Sequence, residues 1–374
     1  MKTTLGLAIA TLAVARQEPA PRRLAAVSLK VTVDLATVSG ARELKDGRIL
    51  ISDAKRAAVY AIDPKAGTAA QIGSAGGGET QYAQPGGFYA GMADTVYLLD
   101  RGQARVSLIS PTGAIVGTRS IRRKGYSGSS DADLDLQQVD SRAFAYFPDR
   151  GSRLTGMVGG VSTDSAPLLR LDPSRQHIDT IALLRQAQKK ITQADAHMQM
   201  TREIRGSPRD GWGTAADGSV AIVRGSPYRV EWYSASGKVT RGPVITFEPI
   251  PYTSDEKAAI TAANAKSATS VGMAGAAGED RKSVSSAGDD LFAPTKMAFD
   301  PTDVIVSSEG RVWVPRTQKF GSTIVVYDVF DRKGDRVDRV ELPPRNRVIG
   351  FGPGSVFAVE RDEKGVPTLR KYKL

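Results

Sequence analysis

At 374 residues, 41% of them hydrophobic and 24% charged, the chain has room for two ordinary domains or one large all-β domain. It contains no cysteine, which excludes disulfides, thiolate metal sites and a lipid-modified cysteine anchor. The net charge of +11 is spread along the sequence, with only short runs such as Arg122-Arg123-Lys124, so it reads as a basic surface with no nucleic-acid site.

In chain order, Lys2, the apolar stretch Leu5 to Val14 and Ala13-Val14-Ala15 before Arg16 predict a signal peptide over residues 1–15. Export to a periplasm or the medium follows, after cleavage near Ala15. The stretch is too short to span a bilayer, and no later segment reaches the roughly 18 apolar residues of a spanning helix. Residues 16–25 read as a flexible lead. Ala26 to Val38 alternates apolar and polar residues as a half-buried strand does, and is expected to lie beside Thr368 to Lys373. Residues 26–374 then form a single domain.

A repeat follows. Residues 46–67, DGRILISDAKRAAVYAIDPKAG, are echoed by 93–113, ADTVYLLDRGQARVSLISPTG, and by 216–237, ADGSVAIVRGSPYRVEWYSASG. Each carries a polar turn, a short apolar strand, a polar loop, an alternating strand and a turn ending in Gly. Asp53 precedes Pro64 by eleven residues, as Asp100 precedes Pro111, and Gly follows Arg105 and Arg229 by eight. Residues 156–174, 308–334 and 352–374 are looser copies. One copy cannot bury both its faces, so six such units predict four-stranded blades packed in a circle.

Two insertions interrupt the pattern, at about 182–207 and 250–293. Residues 182–204 lack Pro and Gly and place Leu184, Ala187, Ile191 and Ala194 at helical spacing. Residues 253–267 open on TSDE, a cap sequence, and continue as an Ala-rich helix. Ser267 to Asp289, rich in Gly, Ala and Ser, predicts a mobile segment.

The segments ISDAKRAAVYAID and LLDRGQARVSLIS, with the glycine-rich linker Gly73 to Gly87, resemble the blades of NHL-type propellers and, more broadly, TolB-like exported bacterial propellers. The resemblance implies an all-β, six-bladed β-propeller of four-stranded antiparallel blades, its ring closed by an N-terminal strand. The family's Asn-His before Arg is replaced by Lys55 in one copy and Gln103-Ala104 in the other. The resemblance says little about function.

In such a fold the second-to-third-strand loops share a face with the blade connections. Arg56, Arg105, Arg224, Arg229, Arg316 and Lys319 fall there and form the candidate ligand or partner face, beside Asp53 and Asp100, whose recurrence suggests loop bracing. A basic funnel would take a protein partner or an anionic or polar small ligand. Only two histidines occur, His177 and His197, and no G-x-S-x-G elbow is present, so no catalytic residue is assigned. Asp131, Asp133 and Asp135 alternate as oxygen ligands of Ca²⁺ do and are the candidate metal ligands, but Leu136 and Arg142 stand where an EF-hand needs Gly and an acid. Glu43 and Asp303 lie near predicted inner strands. Gly76-Gly77-Gly78 lacks the GK[ST] of a phosphate loop. The sequence alone thus points to a monomeric, non-enzymatic exported binding module without a cofactor; the alternative is a Ca²⁺-type hydrolase or lyase with an axial carboxylate site.

Overall fold

The structure, a computed structural model, describes residues 20–29, 33–122, 137–149, 164–193, 199–270 and 291–374. The signal-peptide stretch, Asp131, Asp133, Asp135, His197 and most of the segment 267–289 lie outside the described residues.

Strands dominate, and they come as successive four-stranded meanders. The first runs Val38–Glu43, Ile49–Asp53, Ala58–Asp63 and Thr68–Gln71. The second runs Pro85–Ala90, Val96–Asp100, Arg105–Ile109 and Ile115–Ser120. Gln138–Val139, Ala145–Pro148, Ser165–Asp172 and His177–Arg185 form a third, and Gly211–Thr214, Val220–Gly225, Tyr228–Tyr233 and Val239–Arg241 a fourth. A fifth contains Ile305–Val306, Val312–Pro315, Val325–Phe330 and Arg336–Leu342; the last contains Asn346–Gly352, Ser355–Arg361 and Pro367–Lys373. Turn chemistry explains the hairpins. In the first, Gly47 sits at φ 89°, a left-handed conformation that favours glycine, and closes the turn with a bond from its N–H to Leu44 O at 3.0 Å.

The apolar faces are buried between neighbours. Leu50 and Val59 of the first meander meet Val96, Leu98 and Ile109 of the second. Leu99 and Val106 then meet Phe147 and Leu171, and Tyr146 and Leu168 meet Trp212 and Ile222. Val223 and Val230 pack on Val314 and Phe330, and Trp313 and Tyr327 on Phe351 and Val356. Ile349 and Phe357 of the last meander pack on Ile49, Ile51 and Ile62 of the first. The arrangement is propeller-like and returns on itself.

Both chain ends take part. Ala25–Val27 pairs antiparallel with Pro367–Lys373, Ala25 opposite Lys373 and Val27 opposite Lys371. The expected strand is thus real but short. Just before it, Arg22–Arg23 runs parallel to Arg336–Leu342 of the preceding meander. At the seam, the inner strands Val38–Glu43 and Asn346–Gly352 pair in parallel, Gly350 opposite Ala41 and Phe351 opposite Arg42. A Cβ on Gly350 would lie 1.8 Å from the Ala41 carbonyl oxygen, so this approach requires glycine.

The helix expected over 182–204 is not formed. His177–Arg185 continues the third meander, Leu184 buried at 2% exposure while Leu183 is 58% exposed, and Lys189–Gln193 pairs with Gln199–Glu203 as a hairpin. The two-residue alternation at Leu183-Leu184 and the ladder to Ser165–Asp172 outweigh a helical spacing that was only partly apolar. The second insertion does contain a helix, α1 (Ser254–Ser270), started by the Thr253 hydroxyl accepting the Glu256 N–H at 3.2 Å. Among the described residues, no helix is long and apolar enough to cross a membrane.

Candidate functional site

The first strand of every meander borders one axial cavity of about 520 Å³. Its wall takes Arg42 from the first, Tyr89 from the second, Gln138 from the third, Trp212 from the fourth, Val306 from the fifth and Arg347 from the last. Residues that lead into these strands line it as well, among them Arg209, Asp210 and Asp303.

Charge is handled differently at the two levels of this cavity. Asp303 closes the short helical turn Pro301–Asp303, and one of its oxygens lies 3.3 Å from Arg347 Nη1. Burial raises the Asp303 pKa and Asp300 adds to this, against the opposing pull of Arg347. Arg42 lies level with Phe351, four residues beyond Arg347, roughly 13 Å along a strand at about 3.3 Å per residue. Its side chain is half-buried and, among the described residues, the guanidinium makes no hydrogen bond or ion pair; desolvation lowers its pKa. Nearby, Tyr89 donates to Gln137 O at 2.7 Å, and burial pushes its hydroxyl up to about 12.

None of the six cations taken from the sequence lines this cavity. Arg56 pairs with Asp34 at 2.5 Å. Arg105 donates to the Gly78 and Gln81 carbonyls at 2.8 and 2.6 Å, tying down the glycine-rich linker, and sits 3.5 Å from Asp100. Arg224 bridges Asp210 and Glu231, each at 2.8 Å, and its hydrogen bonds to these carboxylates hold its pKa above the usual arginine value despite burial. Arg229 also reaches Glu231 at 2.8 Å, so these two lie together. Arg316 packs over the Tyr228 ring and stands 3.5 Å from Asp328, while Lys319 is exposed. Asp53 accepts backbone N–H groups from Ala36, Thr37, Lys55 and Arg56, and Asp100 accepts those of Ala83 and Gln84. His177 is exposed and bonded to Asp179 at 2.7 Å.

Sequence reasoning missed Arg42, Tyr89 and Arg347. Asp303 had been noticed beside an inner strand, where it stands. Glu43, noticed with it, is turned away: it takes Lys371 Nζ at 2.9 Å and the Ser355 hydroxyl at 3.0 Å.

A calcium ion does not fit the carboxylates present. Among the described residues no three His, Cys, Asp or Glu side chains gather as ligands. Each acid on the cavity wall already meets a guanidinium: Glu203 meets Arg209 at 3.6 Å, Asp210 meets Arg224 at 2.8 Å and Asp303 meets Arg347 at 3.3 Å.

No protein-family description matches the chain, and no curated protein matches its sequence. Solved structures do resemble it. The calcium-binding protein regucalcin from Agrobacterium tumefaciens is 10% identical, with 94% of this chain and 95% of that chain covered at a TM-score of 0.44. A gluconolactonase from Xanthomonas campestris is 12% identical, with 96% and 99% covered at a TM-score of 0.42. The PQQ-bound aldose sugar dehydrogenase from Streptomyces coelicolor is 11% identical, with 95% and 99% covered at a TM-score of 0.42. These neighbours do not single out the NHL or TolB-like groups. Two of the three are named as enzymes, in contrast to the non-enzymatic binding module expected from the sequence.

Proposed function

We propose that the chain is a six-bladed propeller enzyme, exported and monomeric, that uses its axial cavity for hydrolysis or lyase chemistry on a small anionic substrate. The observation that carries this reading is Arg42, a guanidinium facing the cavity with no acceptor of its own. Holding such a charge away from water is costly unless an anion compensates it. A carboxylate on the substrate supplies that compensation and sets its orientation.

Asp303 is suited to proton transfer. A carboxyl group with a raised pKa keeps its proton closer to neutral pH, so it can deliver it to a leaving oxygen. In ester or lactone opening, water adds to the carbonyl carbon and the C–O bond breaks. The leaving oxygen takes the Asp303 proton, and the attacking water returns one. Arg347 fixes the orientation of the carboxyl group and steadies its charged form after the transfer. The substrate spans the distance between the Asp303 and Arg42 levels.

The test is turnover of a panel of lactones and carboxylate-bearing esters. Asp303→Asn is expected to lower kcat by about a hundredfold, within the usual range for a general acid. Arg42→Met is expected to raise KM for anionic members of the panel and leave neutral ones unaffected. A panel left unconverted by the wild-type chain, or converted equally by both variants, defeats the proposal.

A further inference from the structure

A second cavity of about 790 Å³ lies under α1 and adjoins the axial one, sharing Ala187, Glu203, Arg209 and Pro301 with it. Its walls include α1 on one side, the segment from Ile204 to Ser207 on another, and Leu291 and Phe292 on a third, with Lys296, Phe299 and Gln318 completing them. The backbone fixes this wall, because Arg205 N–H donates to Leu291 O and Ala293 N–H to Arg205 O, both at 2.8 Å.

Three features of the lining point to a ligand. Glu256 is only 8% exposed and its Oε1 meets Lys296 Nζ at 2.6 Å, yet its Oε2 is buried with no hydrogen-bond partner. Such an acceptor is costly to leave unmade and invites a donor. The Tyr252 hydroxyl also has no partner among the described residues. Its ring stands edge-on to Phe292, centroids 5.2 Å apart at 66°, giving an apolar platform beside these polar atoms.

We infer that this cavity binds a neutral, hydroxyl-rich ring of the sugar or cyclitol class, its C–H face on Tyr252 and Phe292 and its hydroxyls on Glu256 Oε2 and Tyr252 Oη. Charge disfavours an amine. Lys296 already neutralises Glu256, Arg209 meets Glu203, and Arg205 adds positive charge to the lining. A hydroxyl needs no charge partner and satisfies the carboxylate oxygen directly. The inference does not depend on catalysis in the axial cavity.

Titration calorimetry and saturation-transfer NMR on the full chain with sucrose, maltose, lactose and myo-inositol test it. At least one of these is expected to bind. Tyr252→Phe, which removes one hydroxyl and keeps the platform, is expected to weaken that binding about fivefold, and Glu256→Gln about tenfold. Arg42→Met is expected to leave it unchanged, which separates this cavity from the axial one even if turnover is never found. Absence of binding by all four compounds overturns the inference. So does binding that Tyr252→Phe and a folded Glu256→Gln variant leave intact.

Discussion

The outer turns and the axial wall of the same meanders treat charge in opposite ways. At the turns, carboxylates are saturated: Asp53 accepts four backbone N–H groups, and Asp140 accepts those of Arg142 and Phe144 together with the Tyr146 hydroxyl. Acids on the axial wall are met as well: Asp210, just before Gly211–Thr214, accepts the Gly225 N–H at 3.0 Å. At the wall, Arg42 is left without an acceptor. Asp53 and Asp140 have used up their hydrogen-bonding capacity, and a cavity-lining group with capacity to spare is where a ligand is to be sought.

The comparison can be broken by substitution. Asp53→Ala should have the largest effect, orphaning several partly buried N–H groups at about 1–3 kcal/mol each and not fully additively, for a loss of about 4 kcal/mol in urea unfolding. Gly350→Ala comes next. Its methyl group must displace the seam backbone, and a drop of about 3 kcal/mol is expected, within the upper range of overpacking. Arg42→Met should leave stability unchanged or raise it by about 1 kcal/mol, because it removes an uncompensated charge. If Arg42→Met destabilises as much as Asp53→Ala does, the contrast fails.

Asp303 adds a pH test. Its folded pKa lies above its unfolded one, so the folded chain holds more protons between the two values. Stability contributed by this group therefore falls as pH rises through that window. Asp303→Asn should be more stable than wild type above the window, and the gap should close as pH falls below the unfolded value. Unfolding midpoints measured across that range decide it. Smallest of all, Arg56→Ala removes an exposed pair with Asp34 and should leave the urea midpoint within error.

Much of the frame could be read from the sequence because it is periodic. The Asp53 and Asp100 registers and the Thr253 to Glu256 cap follow local rules. The stretch 182–193 misled because a period of 2 and a period of 3.6 share several positions over so short a window, and Leu183-Leu184 fits either until the partner strand is known. The axial site was hidden for a different reason. Arg42, Tyr89, Asp303 and Arg347 sit in four separate meanders, each in an ordinary strand or turn, and only their convergence on one axis gives them meaning.

The pairing of Gly350 with Ala41 puts the place where the circle of sheets is joined one residue from Arg42. The join is made by backbone atoms in close approach, so it has little side-chain slack on its inner edge. An anion held by Arg42 would brace this join from within. Occupancy of the axis and resistance of the whole assembly to opening would then rise and fall together.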